Sequence, residues 1–276
     1  MSVLTRPAER RWLLWPPLLF LALGLGVPVA VLIAQSLGGE GGFATVFGMP
    51  AFGAAVLRTV LMALVVAVVT LAFGLGCALG IWASPRWLQW ALLGLLFVSL
   101  WTSVMVRSFG WVLLEIPRGV LYWLLSSVGL AEEPLSLYQT AFAMYPAMVS
   151  VMLPFAVLPI VAALRTLDGD QLRAARSLGA GGWLTLRAVI LPAVRPSLIA
   201  AATLVLVMSL GFYVTPLLLG GPANQTLSGL IALQLGAVDR PEAAAAMSLL
   251  LVGGTVALYL TADRLFRVSE HWGMSG

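Results

Sequence analysis

This chain of 276 residues contains no lysine. All 15 of its basic residues are arginine. A phosphate-binding loop of the G-x-x-x-x-G-K-[ST] type needs its lysine to hold the phosphates of ATP. The chain therefore cannot bind and hydrolyse ATP by that route.

Cysteine and histidine are nearly missing too, with one residue of each type, Cys77 and His271. A single cysteine excludes an internal disulfide and a cysteine-based metal cluster. We expect Cys77 to be a small packing residue in an apolar span and His271 to be a solvated tail residue. The sequence thus predicts no catalytic residue, no metal site and no resident cofactor, and an integral-membrane enzyme is not favoured.

Charged residues are scarce: they make up only 9% of the chain, whereas 61% is hydrophobic. A soluble protein of this length needs more polar surface than that, and several apolar runs are long enough to span a bilayer. The sequence therefore predicts an all-α polytopic membrane protein with one transmembrane domain over residues 1–276. Its six predicted spans cover about 12–34, 59–81, 88–106, 140–164, 197–219 and 243–262.

The arginines divide unequally between the two sides of such a membrane. With the N-terminus inside, the inner segments hold Arg6, Arg10, Arg11, Arg86, Arg165, Arg173, Arg176, Arg187, Arg195, Arg264 and Arg267. The outer segments hold only Arg58, Arg107, Arg118 and Arg240. Because inner loops are enriched in arginine, both termini are predicted to be cytoplasmic. Arginines placed at span ends in this way fit membrane topology better than nucleic-acid binding.

Two apolar segments carry further signals. Residues 108–130 are interrupted by Glu115, Pro117 and Arg118, and their aromatic residues favour a lipid–water boundary. We interpret this segment as a periplasmic interfacial or re-entrant element. In the second span Gly76 and Gly80 form a G-x-x-x-G pattern, which predicts a face for close helix packing.

The inner loop at about 165–196 has its own predicted structure. Gln171 to Leu178 is predicted to be a short helix, and Gly179 stands where the end of a helix favours a left-handed residue. Trp183 to Ile190 is predicted to be a second short helix that ends at Pro192. Two short helices joined by a tight turn make a stiff knob, and its arginine-rich polar faces do not suit lipid.

The spacing in this loop resembles the EAA loop of the inner-membrane permeases of binding-protein-dependent ABC importers, E-A-A-x3-G-x9-I-x-L-P. The matching positions hold Ala174, Ala175, Gly179, Leu191 and Pro192, while Val189 replaces the isoleucine and Arg173 replaces the glutamate. In that family the loop forms coupling helices that dock into a cleft of the ATPase subunit. The resemblance implies that the contact of the family glutamate is changed here, is matched by an acid on the partner, or is supplied by Asp168 or Asp170.

The resemblance also implies the rest of the assembly. It gives a type I ABC importer permease with six helices and a cytoplasmic coupling loop, in the bacterial inner membrane, with no enzymatic activity of its own. Its partners would be a second permease, non-identical to this chain, two ATPase subunits that bind the ATP, and a periplasmic solute-binding protein. Trp183 would be an apolar anchor in the ATPase cleft, because aromatic residues often dominate buried contacts at interfaces.

Three further stretches, "VRSFGWVLL", "SLGFYVTPLLLGGP" and "DRPEAAAAMSLLL", resemble the spermidine/putrescine permease branch of the family. Gly211 and Pro216 weaken the fifth span, and a broken helix at membrane depth is tolerated where it lines a cavity in the protein. Phe212, Tyr213 and Thr215, together with Gly211 and Pro216, are therefore candidate residues of a translocation path or gate. The alternative is that they are packing residues at an ordinary kink.

The predicted solute is a polyamine, although a polycation would call for carboxylates near the bilayer centre. Some polyamine permeases carry an acid at the position of Phe212. The acids Glu115, Glu132, Glu133, Asp239 and Glu242 are expected to lie outside the spans. An opine, an amino-acid derivative or ferric iron stays open as the solute, and a secondary transporter or channel is the less favoured class.

Overall fold

The computed structural model describes residues 7–38, 42–236 and 241–266, with side chains described from residue 15 to residue 264 within those ranges. Arg6, Asp239, Arg240, Arg267 and His271 lie outside the described residues. All regular structure in the described part of the chain is helical.

Most helices follow one another with short connections, and the long connection is segment 128–143. In chain order they are α1 (Pro7–Leu37), α2 (Gly42–Gly48), α3 (Pro50–Ala83), α4 (Arg86–Trp101), α5 (Val104–Glu115), α6 (Val120–Ser127), α7 (Met144–Arg165), α8 (Gly169–Ser177), α9 (Gly182–Thr185), a π-helical turn (Leu186–Ile190), α10 (Leu191–Leu210), α11 (Val214–Leu219), a short 3-10 turn (Pro222–Asn224), α12 (Leu227–Gly236) and α13 (Pro241–Phe266).

Five of these helical segments are long and apolar enough to cross a membrane: α1, α3, α7, the continuous unit Gly182–Leu210, and α13. A sixth crossing results if α4 and the α5–α6 pair count as one bent span. The most apolar part of α1 is not buried against the rest of the chain, and this helix contacts mainly α13 and α2. Its large exposed apolar side chains are therefore suited to lipid.

The predicted third span, 88–106, runs past a sharp bend. The chain turns by 100° between α4 and the α5–α6 pair, and Thr102 and Ser103 form the junction in an extended conformation. The Thr102 amide and hydroxyl both donate to the Val98 carbonyl, at 3.0 Å and 2.8 Å, so the last hydrogen bonds of α4 are made at this residue. An apolar run with this polar pair inside it therefore becomes two helices.

Pro192 does not end a helix, contrary to the sequence prediction. A proline cannot donate to the carbonyl four residues back, but here the helix widens to a π turn just before it. The Leu191 amide donates to the Leu186 carbonyl, five residues earlier, and Pro192 falls in the first turn of α10. Residues 182–210 are therefore one continuous helical unit, and much of the predicted loop at 165–196 belongs to it.

Three groups of buried apolar side chains hold the helices together. The central cluster joins α3, α7, α10 and α11 through Met62, Val66, Ala67, Ala143, Met144, Ala147, Met148, Val151, Met152, Val205 and Leu219. The loop-side cluster joins the C-terminal ends of α3 and α7 to α4 and the start of α10 through Ala78, Ile81, Leu93, Val157, Ile160, Val161, Leu164, Ile190 and Val194. A third cluster joins α2 and α3 to α12 and α13.

Gly74 packs closely against α7, whereas Gly76 and Gly80 of the predicted packing face do not contact another helix of the described chain. A Cβ atom at Gly74 would lie 2.8 Å from the Ala156 Cβ, whereas a Cβ at Gly76 or Gly80 would meet nothing within 4 Å. Gly74 and Ala78 are buried, and the G-x-x-x-G face is exposed. The packing face is thus offset by two residues from the pattern.

We expect Gly74→Ala to destabilise the protein by about 1–3 kcal/mol, because the added methyl group overpacks a rigid contact. Gly76→Ala is the matched control, since it adds the same methyl group on an exposed face and gains helix propensity. Thermal unfolding of the two variants in detergent measures the difference. Equal melting temperatures for the two variants would contradict a close contact at Gly74.

Candidate functional site

Helix α8 projects as a short polar helix between two apolar ones. Its N-cap is Asp168, whose Oδ1 accepts a hydrogen bond from the Asp170 amide at 2.9 Å, as the sequence led us to expect for a helix start. The Arg173 side chain donates to the Asp170 carboxylate three residues earlier, and both side chains are exposed. Arg176 carries the remaining positive charge of α8.

Gly179 ends α8 in a Schellman motif. Its φ of 78° lies in the left-handed region, which glycine adopts without strain. The Gly179 amide donates to the Arg176 carbonyl at 2.9 Å and the Ala180 amide to the Ala175 carbonyl at 3.0 Å. The turn that follows α8 is therefore fixed by its own backbone.

Large apolar side chains lie exposed around this turn. Leu178 is 89% exposed and Trp183 is 74% exposed, and Leu184 is exposed next to them. These side chains are thus left largely uncovered by the described part of the chain. An exposed apolar group beside exposed arginines is typical of a protein–protein contact.

The other side of the same segment is anchored in the core. Leu167 and Leu172 pack against the loop-side cluster, and so does Leu186 of the π turn. That cluster contains Leu164 at the end of α7 and Val194 at the start of α10. A force applied to the tip of α8 is therefore transmitted to α7 and α10 together.

The second predicted site is a break in the helix after Leu210. Gly211 and Phe212 interrupt the helix, and α11 starts again at Val214. The Ser228 hydroxyl donates to the Phe212 carbonyl at 2.9 Å. The hydroxyl oxygens of Thr215 and Ser108 lie 2.9 Å apart in a buried hydrogen bond that joins α11 to α5.

The five candidate gate residues do not share one environment. Thr215 and Pro216 are buried in the packing of α11, and Phe212 packs against the central cluster. Tyr213 is 46% exposed, and Gly211 is exposed with open space around it. Of the five candidates, Tyr213 and Gly211 are thus the exposed residues.

Residues 72–272 match the family described as the inner membrane component of binding-protein-dependent transport systems. The chain belongs to this family. It is therefore a multi-pass inner-membrane permease.

Curated relatives support the assignment over most of the chain. The spermidine/putrescine transport system permease protein PotB of Escherichia coli (strain K12) is 31% identical over 219 residues, which are 78% of this chain and 80% of that protein. The inner membrane ABC transporter permease protein YdcU of the same strain is 31% identical over 225 residues, 74% of this chain and 69% of that protein.

Solved structures show the same fold. A crystal structure of a bacterial alginate ABC transporter in complex with alginate pentasaccharide-bound periplasmic protein superposes with a TM-score of 0.75 at 19% identity, covering 94% of this chain and 95% of that chain. An inward-facing MetNI methionine ABC transporter gives a TM-score of 0.55 at 18% identity, covering 79% of this chain and 98% of that chain. The all-α permease fold predicted from the sequence is confirmed.

The structure also shows an apolar groove, which the sequence did not predict. It lies between α3 and α7, has a volume of about 670 Å³, and is lined mainly by apolar side chains, among them Phe73, Phe142 and Tyr145. Ser150 brings a hydroxyl to this groove and accepts a hydrogen bond from the Trp111 Nε1 of α5 at 3.0 Å. The only sequence signal for the groove is Pro146 at its edge, one of three prolines in the predicted fourth span.

Glu115 was expected to lie outside the spans, and its burial at the end of α5 was not predicted. Its Oε2 has no hydrogen-bond partner among the described residues.

We expect the Ser108–Thr215 bond to stabilise the junction of α5 and α11 in the permease. In a double-mutant cycle of Ser108→Ala and Thr215→Val, the coupling energy should be about 0.5–1.5 kcal/mol, as for a typical hydrogen bond. Thermal unfolding in detergent measures each corner of the cycle. Thr261→Val, at an exposed site on α13, is the control and should change little; a coupling energy of zero would show that the two hydroxyls do not interact.

Proposed function

We propose that this permease is coupled to ATPase subunits through the tip of α8 and the turn that follows it. The exposed Leu178 and Trp183 beside the arginines of α8 are the observation that carries this proposal. A cleft on the ATPase would cover these apolar side chains. The chain itself has no lysine for a phosphate-binding loop, so the ATP is bound and hydrolysed on those subunits and the permease needs no cofactor.

The charge of α8 indicates the chemistry of that cleft. Arg173 occupies the position where the family has glutamate, and its charge is offset within the helix by Asp170. Arg176 then leaves α8 with a net positive charge. An acidic group on the ATPase side would complement this charge, in place of the contact made by the family glutamate.

The anchoring of the loop supports a lever mechanism. When ATP draws the two ATPase subunits together, the docked loop moves with its cleft. Because α8 packs on the loop-side cluster, α7 and α10 tilt with it. The path then opens toward the periplasm, and the break after Leu210 lies on the moving helix. Tyr213 is the exposed side chain at that break and is the gate residue that this geometry favours.

The complete importer would contain a second, non-identical permease, two ATPase subunits and a periplasmic binding protein. The positions of the arginines support an orientation of the permease in which both termini are cytoplasmic. Arg86 begins α4, and the Arg165 guanidinium lies 5.9 Å from the ring centre of Trp90, at the end of the molecule that also carries α8. Arginines concentrated at that end are what an inner face requires.

A polyamine such as spermidine or putrescine is the solute we propose. The support is the 31% identity to PotB over 78% of this chain. Solute selection would begin on the binding protein, and the permease would accept the released cation.

Loss of the apolar tip should uncouple the importer. In the double variant Leu178→Ala/Trp183→Ala, we expect ATPase co-purification and ATP-driven uptake to fall at least about tenfold. Both side chains would be buried at the interface with the ATPase, and each would contribute more than about 1 kcal/mol to binding. Trp101→Ala, which removes another exposed tryptophan at the end of α4, is the control and should leave both unchanged. Uptake that survives deletion of residues 171–183 would rule out docking through this segment.

The solute is tested with the reconstituted importer. Proteoliposomes that contain both permeases and the ATPase, with the binding protein outside, should take up labelled spermidine or putrescine only when ATP is inside. A neutral amino acid should not compete with this uptake. Failure to transport either polyamine, with ATPase activity intact, would contradict the proposed solute and leave the coupling proposal untouched.

A further inference from the structure

Glu115 is the one ionisable side chain that is buried among the described residues, at 4% exposure. It is the last residue of α5, and its Oε2 has no hydrogen-bond partner in the described part of the chain. A buried carboxylate without a counter-charge is costly, so such a group within a membrane protein marks a functional position more often than a structural one.

The register of α5 fixes which side Glu115 faces. Ser108 precedes it by seven residues, so the two side chains lie on the same face of the helix, about 10 Å apart along its axis. Ser108 is fully buried and bonds Thr215 of α11. The carboxyl group therefore lies on the face of α5 that packs toward the broken helix.

The same face is tied to the helix that borders the apolar groove. Trp111, between Ser108 and Glu115, donates its indole N–H to Ser150 of α7, a residue that lines the groove. This part of α5 is thus bonded both to the broken helix, through Ser108, and to a residue that lines the groove, through Trp111. The helices α10 and α11 on the other side of the junction contain no acidic residue.

We infer that Glu115 is the anionic contact for the ammonium groups of the solute at the outer end of the pathway. This inference rests on the proposed polyamine function. The carboxylate is covered in the present conformation, so a cation reaches it only when α5 and α11 separate. A cationic solute then supplies the counter-charge that the protein lacks, and binding favours the open state because only that state offers the carboxylate.

Neutralising the carboxylate should weaken solute transfer in the reconstituted importer. For Glu115→Gln we expect Vmax/KM for spermidine uptake to fall about 10- to 100-fold, as for loss of one hydrogen bond to a charged group. Glu115→Asp keeps the charge and should recover a large part of the activity. Glu132→Gln and Glu133→Gln, which remove exposed acids on the same side, are the matched controls and should behave as wild type.

The outcomes separate the two proposals. If the wild-type importer transports neither polyamine, the proposed solute is wrong. If it does, and Glu115→Gln keeps wild-type KM and Vmax, Glu115 is not a solute contact. Equal losses for the Gln and Asp variants, with a lowered melting temperature, would assign Glu115 a purely structural role and overturn the inference.

A measurement on the unaltered protein covers the case in which the variants do not assemble. A hydrophobic carbodiimide should modify Glu115 in the full importer during ATP turnover, and peptide mass spectrometry would detect the product. We expect spermidine, delivered by the binding protein, to slow this modification severalfold. Modification at the same rate with and without spermidine would overturn the assignment.

Discussion

No water satisfies a free backbone group in the hydrocarbon layer, so each interruption of a helix must find its hydrogen-bond partners inside the protein. This permease meets that constraint at three places. At the end of α4 the amide and the hydroxyl of Thr102 both donate to the Val98 carbonyl. The π turn before Pro192 shifts the bonding by one residue, and Ser228 satisfies the carbonyl of Phe212 at the break. Each irregular backbone segment is thus held by a specific neighbour, which makes the interruptions defined parts of the fold.

The helix that continues through Pro192 joins the segment around α8 stiffly to the membrane helices. Residues 182 to 210 form one helical unit between the exposed Trp183 and the break after Leu210. On the other side, Leu167 and Leu172 pack α8 against the end of α7. The segment thus has one exposed face and one face anchored to both neighbouring helices, which is the geometry that the proposed coupling to an ATPase needs.

The membrane class, the approximate spans and the position of the loop could be predicted from the sequence. Hydrophobic runs of sufficient length indicate spans, and the placement of arginines indicates which loops lie inside. What the sequence did not predict depends on local hydrogen bonding and on contacts between helices. The continuation through Pro192 depends on a π turn that propensities do not specify, and the burial of Gly74 rather than Gly76 depends on which face α7 covers. The burial of Glu115 comes from the packing of α5. Thr215, a candidate gate residue, is bonded to a serine 107 positions earlier in the chain, a contact that no local pattern reveals.

The central cluster has a composition that suits a moving protein. Met62, Met144, Met148 and Met152 are all buried where α3 meets α7. Methionine is unbranched and its thioether is polarisable, so it fills irregular gaps in several rotamers. Helices that slide past one another on such side chains can exchange one well-filled contact for another without opening a void. The methionine-rich contact between α3 and α7 is therefore the part of the core best suited to a change of packing.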